Sequence, residues 1–283
     1  MLKRFVLLAA IAAALVTFAG SAGAITGNYT DDFVHDNVGL LVFYAPNTPA
    51  GEDPFSHRCS GTLISPTVVV TAGHCTQGVD SGRIYFQQSA APNYDPAAFG
   101  GRGGDPTTGY PYEGGITFQR ADNYGFLAGF PETKDAGVVV LDQPVTPANG
   151  FGILPSAGAI DRYIAAAGNK KQARFTVSGY GLSDQDPRPV SFRKRLMGNS
   201  YAVNNEAPIT EFNLKTTANA SQGKSGTCNG DSGGPVFFYG TNVIAAVTSF
   251  GMNGQCKGLD FSYRLDRPEV LSWITNPNRA DAG

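Results

Sequence analysis

A chain of 283 residues, 42% hydrophobic and 16% charged, is long enough to bury a sizeable core, as one large domain or two packed halves. A formal charge of −2 leaves no basic field, so nucleic acid is excluded as an expected partner. With 36 glycines and 18 prolines, short strands and turns are expected in place of long helices.

The chain opens on "MLKR", then the apolar run "FVLLAAIAAALVTFAG", then "SAGA" with the small-x-small pattern Ala22-Gly23-Ala24. That order reads as a secretory signal peptide over residues 1–24, cut after Ala24. The alternative is an uncut anchor, but the apolar run is short for a span. The remaining chain, 25–283, is expected to be one exported domain without a membrane segment.

Strands are expected at "NVGLLVFY" and at "CSGTLISPTVVVTAGHC", where two β-branched runs flank Ser65-Pro66, and again at "GRIYFQQ". Residues 89–129 are rich in Gly and Pro and read as a long surface insert of passive loop or exosite character. "AGVVVLDQPV", "ARFTVSGYG", "RKRLMGNSYAV" and "EFNLKTTA" continue the strand pattern. "GPVFFYGTNVIAAVTSFG" reads as two strands about a turn at Gly240-Thr241-Asn242, and "RPEVLSWITN" as a single terminal helix with Pro268 in its first turn. An all-β barrel or sandwich follows, with no internal repeat.

The four cysteines are Cys59, Cys75, Cys228 and Cys256. In an oxidising compartment an even count points to disulfides, and proximity favours Cys59–Cys75 with Cys228–Cys256 among the three possible pairings. No C-x-x-C spacing supports a zinc site, so no metal and no cofactor is expected. Asn28 in "NYT" and Asn219 in "NAS" begin glycosylation sequons, relevant only in a eukaryotic secretory route.

"CNGDSGGP", Cys228 to Pro235, places one serine in a glycine-rich turn. A serine hydroxyl is a poor nucleophile at neutral pH unless a base takes its proton, and histidine has the pKa for that work. Of His35, His57 and His74, only His74 has a telling setting: it follows the apolar run "TVVVTA" and precedes Cys75. His35 and His57 read as ordinary structural histidines. The histidine in turn needs a carboxylate to hold its tautomer. Asp135, before the apolar run "AGVVVL", is the candidate. Asp142 reads as exposed, and Asp231 as pointing away from its neighbour Ser232.

"TAGHC", "DAGVVVL" and "GDSGGP" in that order resemble the chymotrypsin-like (trypsin-type) serine endopeptidases. "VSGYG", "TSFG" and "LSWI" extend the resemblance over about 25–275, apart from the insert at 89–129. The resemblance implies two six-stranded antiparallel β-barrels with a C-terminal helix and the active site between the barrels. It implies His74, Asp135 and Ser232 as a triad, with an oxyanion hole formed by the backbone of Gly230 and Ser232. It further implies that the serine's loop is organised by an ion pair between a freed N-terminal ammonium, here Ile25 of "ITGN", and Asp231. Substrate contacts fall on Gly226, six residues before the serine, and on Ser249, Gly251 and Asp260. A glycine at 226 suits an aromatic or large apolar residue before the scissile bond. An acid at Asp260 would instead admit Lys or Arg, or broaden the choice. The implied partners are protein or peptide substrates and protein inhibitors of a secreted monomer. A rival is a non-catalytic binding homologue, and a second is an esterase on the same chemistry.

Overall fold

The computed structural model describes residues 25–48, 55–90, 114–126, 129–169, 172–183, 193–203, 209–219, 222–252 and 254–281. The expected signal peptide and most of the insert, 91–113, lie outside them. The described residues begin with two short strands, β1 (Thr26–Gly27) and β2 (Tyr29–Asp31). It then forms β3 (Val38–Tyr44), β4 (Phe55–Ser65), β5 (Val68–Thr71), the one-turn helix α1 (Gly73–Thr76), β6 (Gly82–Tyr85), β7 (Ile116–Asn123) and β8 (Gly137–Leu141). These six longer strands close into a barrel in the order β3-β4-β5-β8-β7-β6. Closure removes the exposed strand edges that an open sheet of such apolar strands would present. One face of each strand fills the interior: Leu41, Phe43, Leu63, Val69, Ile84, Phe118 and Val139 are buried together.

A helix, α2 (Ala159–Ala166), leads into β9 (Arg174–Gly179) and β10 (Leu196–Tyr201). After a short helix α3 (Ile209–Phe212) come β11 (Asn213–Ala218), β12 (Ser225–Gly226), β13 (Pro235–Phe238), β14 (Ile244–Gly251), β15 (Gly258–Arg264) and the helix α4 (Pro268–Thr275). The second sheet runs β11-β15-β14-β13-β9-β10-β2. An isolated bridge between Ala202 and Thr216 joins β10 back to β11, and Val203 N–H donates to Lys215 O at 3.1 Å beside it. Six strands therefore wrap round as expected, and β2 is an additional seventh, paired to the first half of β10 from Leu196↔Asp31 to Gly198↔Tyr29.

Two expectations need correction. Residues 116–123, read as part of the loop insert, form β7, paired on both sides with β6 and β8. "ITFQRADN" is mostly polar because only part of it faces the interior: Phe118 is fully buried while the adjacent Gln119 and Arg120 face solvent. The terminal helix is also not alone, since "AIDRYIAA" forms α2. Its apolar face, Ile160 and Ile164, packs on the second core, and Asp266 accepts from the Ile160 backbone N–H at 2.8 Å. Both disulfides form as proximity suggested, Cys59–Cys75 and Cys228–Cys256.

The last helix reaches back to the first barrel. Trp273 packs against Tyr124 with ring centroids 5.2 Å apart. Beyond the helix, Arg279 pairs with Asp122 of β7 at 2.7 Å, with both side chains buried.

Candidate active site

The strand register brings His74 to Asp135. β5 and β8 are antiparallel with Thr71 opposite Gly137. The residues leaving β5, Ala72 to His74, therefore run beside those entering β8, Asp135 and Ala136. Asp135 is only 1% exposed. Its Oδ1 accepts from the His74 backbone N–H at 2.7 Å, and its Oδ2 lies 2.9 Å from His74 Nδ1. Ser249 Oγ donates to the same Oδ2. One buried carboxylate thus holds the histidine by both main chain and ring, and leaves Nε2 free of this pairing. Burial pulls the imidazole pKa down, but the charge and hydrogen bond of Asp135 outweigh it, and the net shift is upward from 6.5. Phe126 covers the ring from the side, 5.7 Å between centroids.

The second barrel delivers the serine by the same geometry. β13 and β14 are antiparallel with Pro235 opposite Val247. Ser232, just ahead of β13, therefore lies beside Thr248 and Ser249, at the far end of the register. Gly233 N–H donates to Thr248 O at 2.8 Å, and Thr248 N–H to Gly234 O at 2.9 Å. Ser232, Ser249, Phe250, Gly251 and Thr227 line one cleft of about 380 Å³. Ser249 is the link: it lines the cleft that holds Ser232 and hydrogen-bonds the acid that holds His74.

The two barrels are locked at this point through Ser60, which the sequence reading did not single out. Its N–H donates to Ser232 O at 2.8 Å, and its hydroxyl donates to Gly230 O at 2.9 Å. The same hydroxyl accepts from Tyr180 N–H at 3.0 Å. A serine following Cys59 in "CSG" carries no pattern that would mark it, because its partners are about 120 to 170 residues away in the chain. Gly230 has φ +99°, and a Cβ there would come within 2.9 Å of Gly181 Cα, so the tight loop requires glycine.

Asp231 does point away from the cleft. It is fully buried and accepts from Gly181 N–H at 2.8 Å and Cys228 N–H at 2.9 Å. Burial, offset in part by those two donors, leaves its pKa well above the ordinary carboxylate range. Ile25 is buried as well, and β1 pairs with β12 so that Thr26 faces Gly226. Asp260 is 3% exposed, and its Oδ2 accepts from Thr227 N–H at 2.7 Å. A Cβ on Gly226 would lie 3.0 Å from the same oxygen. The structure thus puts Gly226 and Asp260 together behind the Thr227 end of the cleft. Burial pushes the Asp260 pKa up to about 6, against the hydrogen bonds from Thr227.

The other two histidines have structural roles. His57 Nε2 lies 2.8 Å from Cys75 O, and its ring stacks on Phe43. His35 belongs to a second Asp–His–Ser set: Asp32 Oδ2 is 2.8 Å from His35 Nδ1 and accepts from Ser178 Oγ at 2.6 Å. Here the hydroxyl binds the acid and not the imidazole, and Ser178 is 2% exposed. That connectivity cannot activate a nucleophile. Cys59, Cys75 and His74 also come together. Both sulfurs are spent in a disulfide and offer no thiolate to a metal.

The model of the Trypsin family matches residues 47–274. The chain belongs to the trypsin family. It is 26% identical over 228 residues to trypsin zeta of Drosophila melanogaster, covering 76% of this chain and 72% of that protein. It is 27% identical over 209 residues to brachyurin of Leptuca pugilator, covering 70% and 78%. The solved structure of HL collagenase superposes with a TM-score of 0.60 at 20% identity, over 88% of this chain and 96% of that one. The serine-protease fold of the trypsin family is therefore established for this chain, with both disulfides in place.

Proposed function

We propose that this trypsin-family chain is a secreted serine endopeptidase with His74, Asp135 and Ser232 as its triad. The observation that carries the reading is the Asp135 carboxylate, which holds His74 and is joined through Ser249 to the cleft containing Ser232. His74 Nε2 takes the Ser232 proton as Oγ attacks a peptide carbonyl. The backbone N–H groups of Gly230 and Ser232 stabilise the oxyanion. His74 then gives its proton to the leaving amine, and water resolves the acyl-enzyme by the same path. Labelling by a serine-directed phosphonate tests this: wild type is expected to react and Ser232→Ala to stay unlabelled. An unlabelled wild type would favour a non-catalytic binding protein. The substrates are proteins or peptides acted on by a monomer, and no helix among the described residues is long and apolar enough to cross a membrane.

The resemblance assigns Gly226 to an aromatic or large apolar preference, but that glycine is packed on Ala218, which a Cβ there would overlap, and the burial of Asp260 beside it favours a second reading. Below pH 6 the Asp260 carboxyl is neutral and the pocket end is uncharged. Above it the carboxylate is ionised and attracts a substrate Lys or Arg. The ratio of kcat/KM for an Arg peptide to that for its Phe counterpart is expected to rise about tenfold per pH unit below 6 and level off above it. Taking the ratio cancels the shared titration of His74. Asp260→Asn should flatten it, and a wild-type ratio that does not change with pH removes Asp260 from specificity.

The signal cut after Ala24 is also the activating cut. Antiparallel pairing of Thr26 with Gly226 sets Ile25 opposite Thr227, whose neighbour Cys228 donates to Asp231. A freed Ile25 ammonium entering there would supply the cation that the buried carboxylate needs to stay ionised. N-terminal sequencing of the secreted protein is expected to start at Ile25; any other start rules this route out.

A further inference from the structure

A second cavity, larger than the cleft of Ser232 at about 700 Å³, opens on the outside of the second barrel. β9 explains its floor. Phe175 and Val177 point into the core, so Arg174 and Thr176 point outward. On β10, Asn199 faces Thr176 and Met197 faces Ser178, and both line the same cavity. An outer sheet face of this kind is ordinarily open to water. Here it is walled by the loop after β2 on one side and by the β13–β14 turn on the other. Val34, Ile153 and Tyr239 stand at these walls with roughly half of their surface exposed, which is unusual for three large apolar side chains around one depression.

The charge in this cavity is one-sided. Arg174 lies over the Tyr239 ring, 3.7 Å from guanidinium carbon to centroid. Its Nε is buried with no hydrogen-bond acceptor among the described residues. No Asp or Glu is among the described residues lining the cavity. Asp32, which holds the lining residue His35, is already engaged by His35 and Ser178. A half-buried guanidinium lining the cavity with no carboxylate beside it among the described lining residues, next to apolar walls, suits a carboxylate carried on an apolar body.

We propose that this cavity binds the C-terminal end of a peptide that finishes in an aromatic or large apolar residue, with the α-carboxylate on Arg174 and the side chain between Val34, Ile153 and Tyr239. The binding chemistry stands independently of catalysis; only the supply of such ends by cleavage rests on the proposed endopeptidase activity. Methyl NMR gives a test that separates the two sites. The chain has three methionines: Met1, Met197 and Met252. Met197 lines this cavity, and Met252 lines the cleft of Ser232. Acetyl-Ala-Phe is titrated into methionine-methyl-labelled Ser232→Ala protein, alongside its C-terminal amide. The Met197 signal is expected to shift and saturate with the acid, and to need at least about tenfold more of the amide, since losing a charge-assisted pair weakens binding by that order. Arg174→Gln is expected to abolish the Met197 shift without altering any response at Met252. Movement at Met252 alone, equal affinity for acid and amide, or an unchanged Met197 shift in Arg174→Gln overturns the proposal. Phosphonate labelling of wild type, read separately, reports on the catalytic reading.

Discussion

Ser232→Ala is expected to lower kcat on a peptide substrate by about 10⁶-fold while leaving the urea midpoint near that of wild type. The side chain lost is a single hydroxyl at the cleft, and the loop around it is held by main-chain bonds, from Ser60 N–H to Ser232 O and from Gly233 N–H to Thr248 O. Asp135→Asn should cost less, about 10⁴-fold. The amide keeps the shape of the acid, but it no longer stabilises the imidazolium and no longer dictates that Nδ1 carries the proton. It also meets Ser249, which donates to Asp135 Oδ2 in the native site. A kcat profile against pH separates the two variants. Asp135→Asn should keep a titrating histidine with its pKa moved down, because the carboxylate that raises it has gone. A Ser232→Ala protein with wild-type kcat would end the triad assignment.

Gly233→Ala is expected to destabilise the fold by more than about 3 kcal/mol, measured by urea denaturation. Gly233 has φ +75°, and an added Cβ would overlap Thr71 Oγ1 and come within 2.6 Å of Ser60 O and 2.7 Å of the Ala72 nitrogen. All of these belong to the other barrel, on β4, which carries Cys59, and at the end of β5, just ahead of His74. Relief requires moving one barrel off the other, so the folded remainder should also lose activity. Gly240 is the control: its φ is +73°, but nothing lies within 4 Å of its would-be Cβ. Gly240→Ala should cost only about 1 kcal/mol, the backbone penalty alone. Equal costs at the two positions would mean that the barrel contact is not as tight as the geometry implies.

Much of the candidate site was legible in the residues. His74, Asp135 and Ser232 sit beside local signals: an apolar run that must be a strand, a cysteine, a glycine-rich turn. The all-β class followed from β-branched runs punctuated by Gly and Pro, and the two six-stranded barrels from the family resemblance. What was not legible depends on contacts distant in sequence. Ser60 has meaning only once Gly230 and Tyr180 are in place around it. β7 was hidden because its neighbours β6 and β8 supply much of its reason to be extended, and its own alternation is broken by a bulge between Phe118 and Arg120. α2 was missed because eight residues without a capping side chain give little local signal against a Gly-rich background. The Asp32–His35–Ser178 set shows the opposite risk: the right residue types can meet in a closed place and do no chemistry.

The return of the C-terminal residues to the first barrel has a consequence for how the chain is made. Residues emerge in order during synthesis, and the first barrel is complete at Leu141. His74 and Asp135 can therefore be in place while Ser232 and Ser249 are still to be translated. The second barrel closes only when β15 joins β11 and β14, and Arg279 reaches Asp122 only with the final few residues. A ribosome-bound or truncated chain thus holds His74 and Asp135 without Ser232. On the proposed function, the chain would become able to cut only once its second barrel has been made and closed.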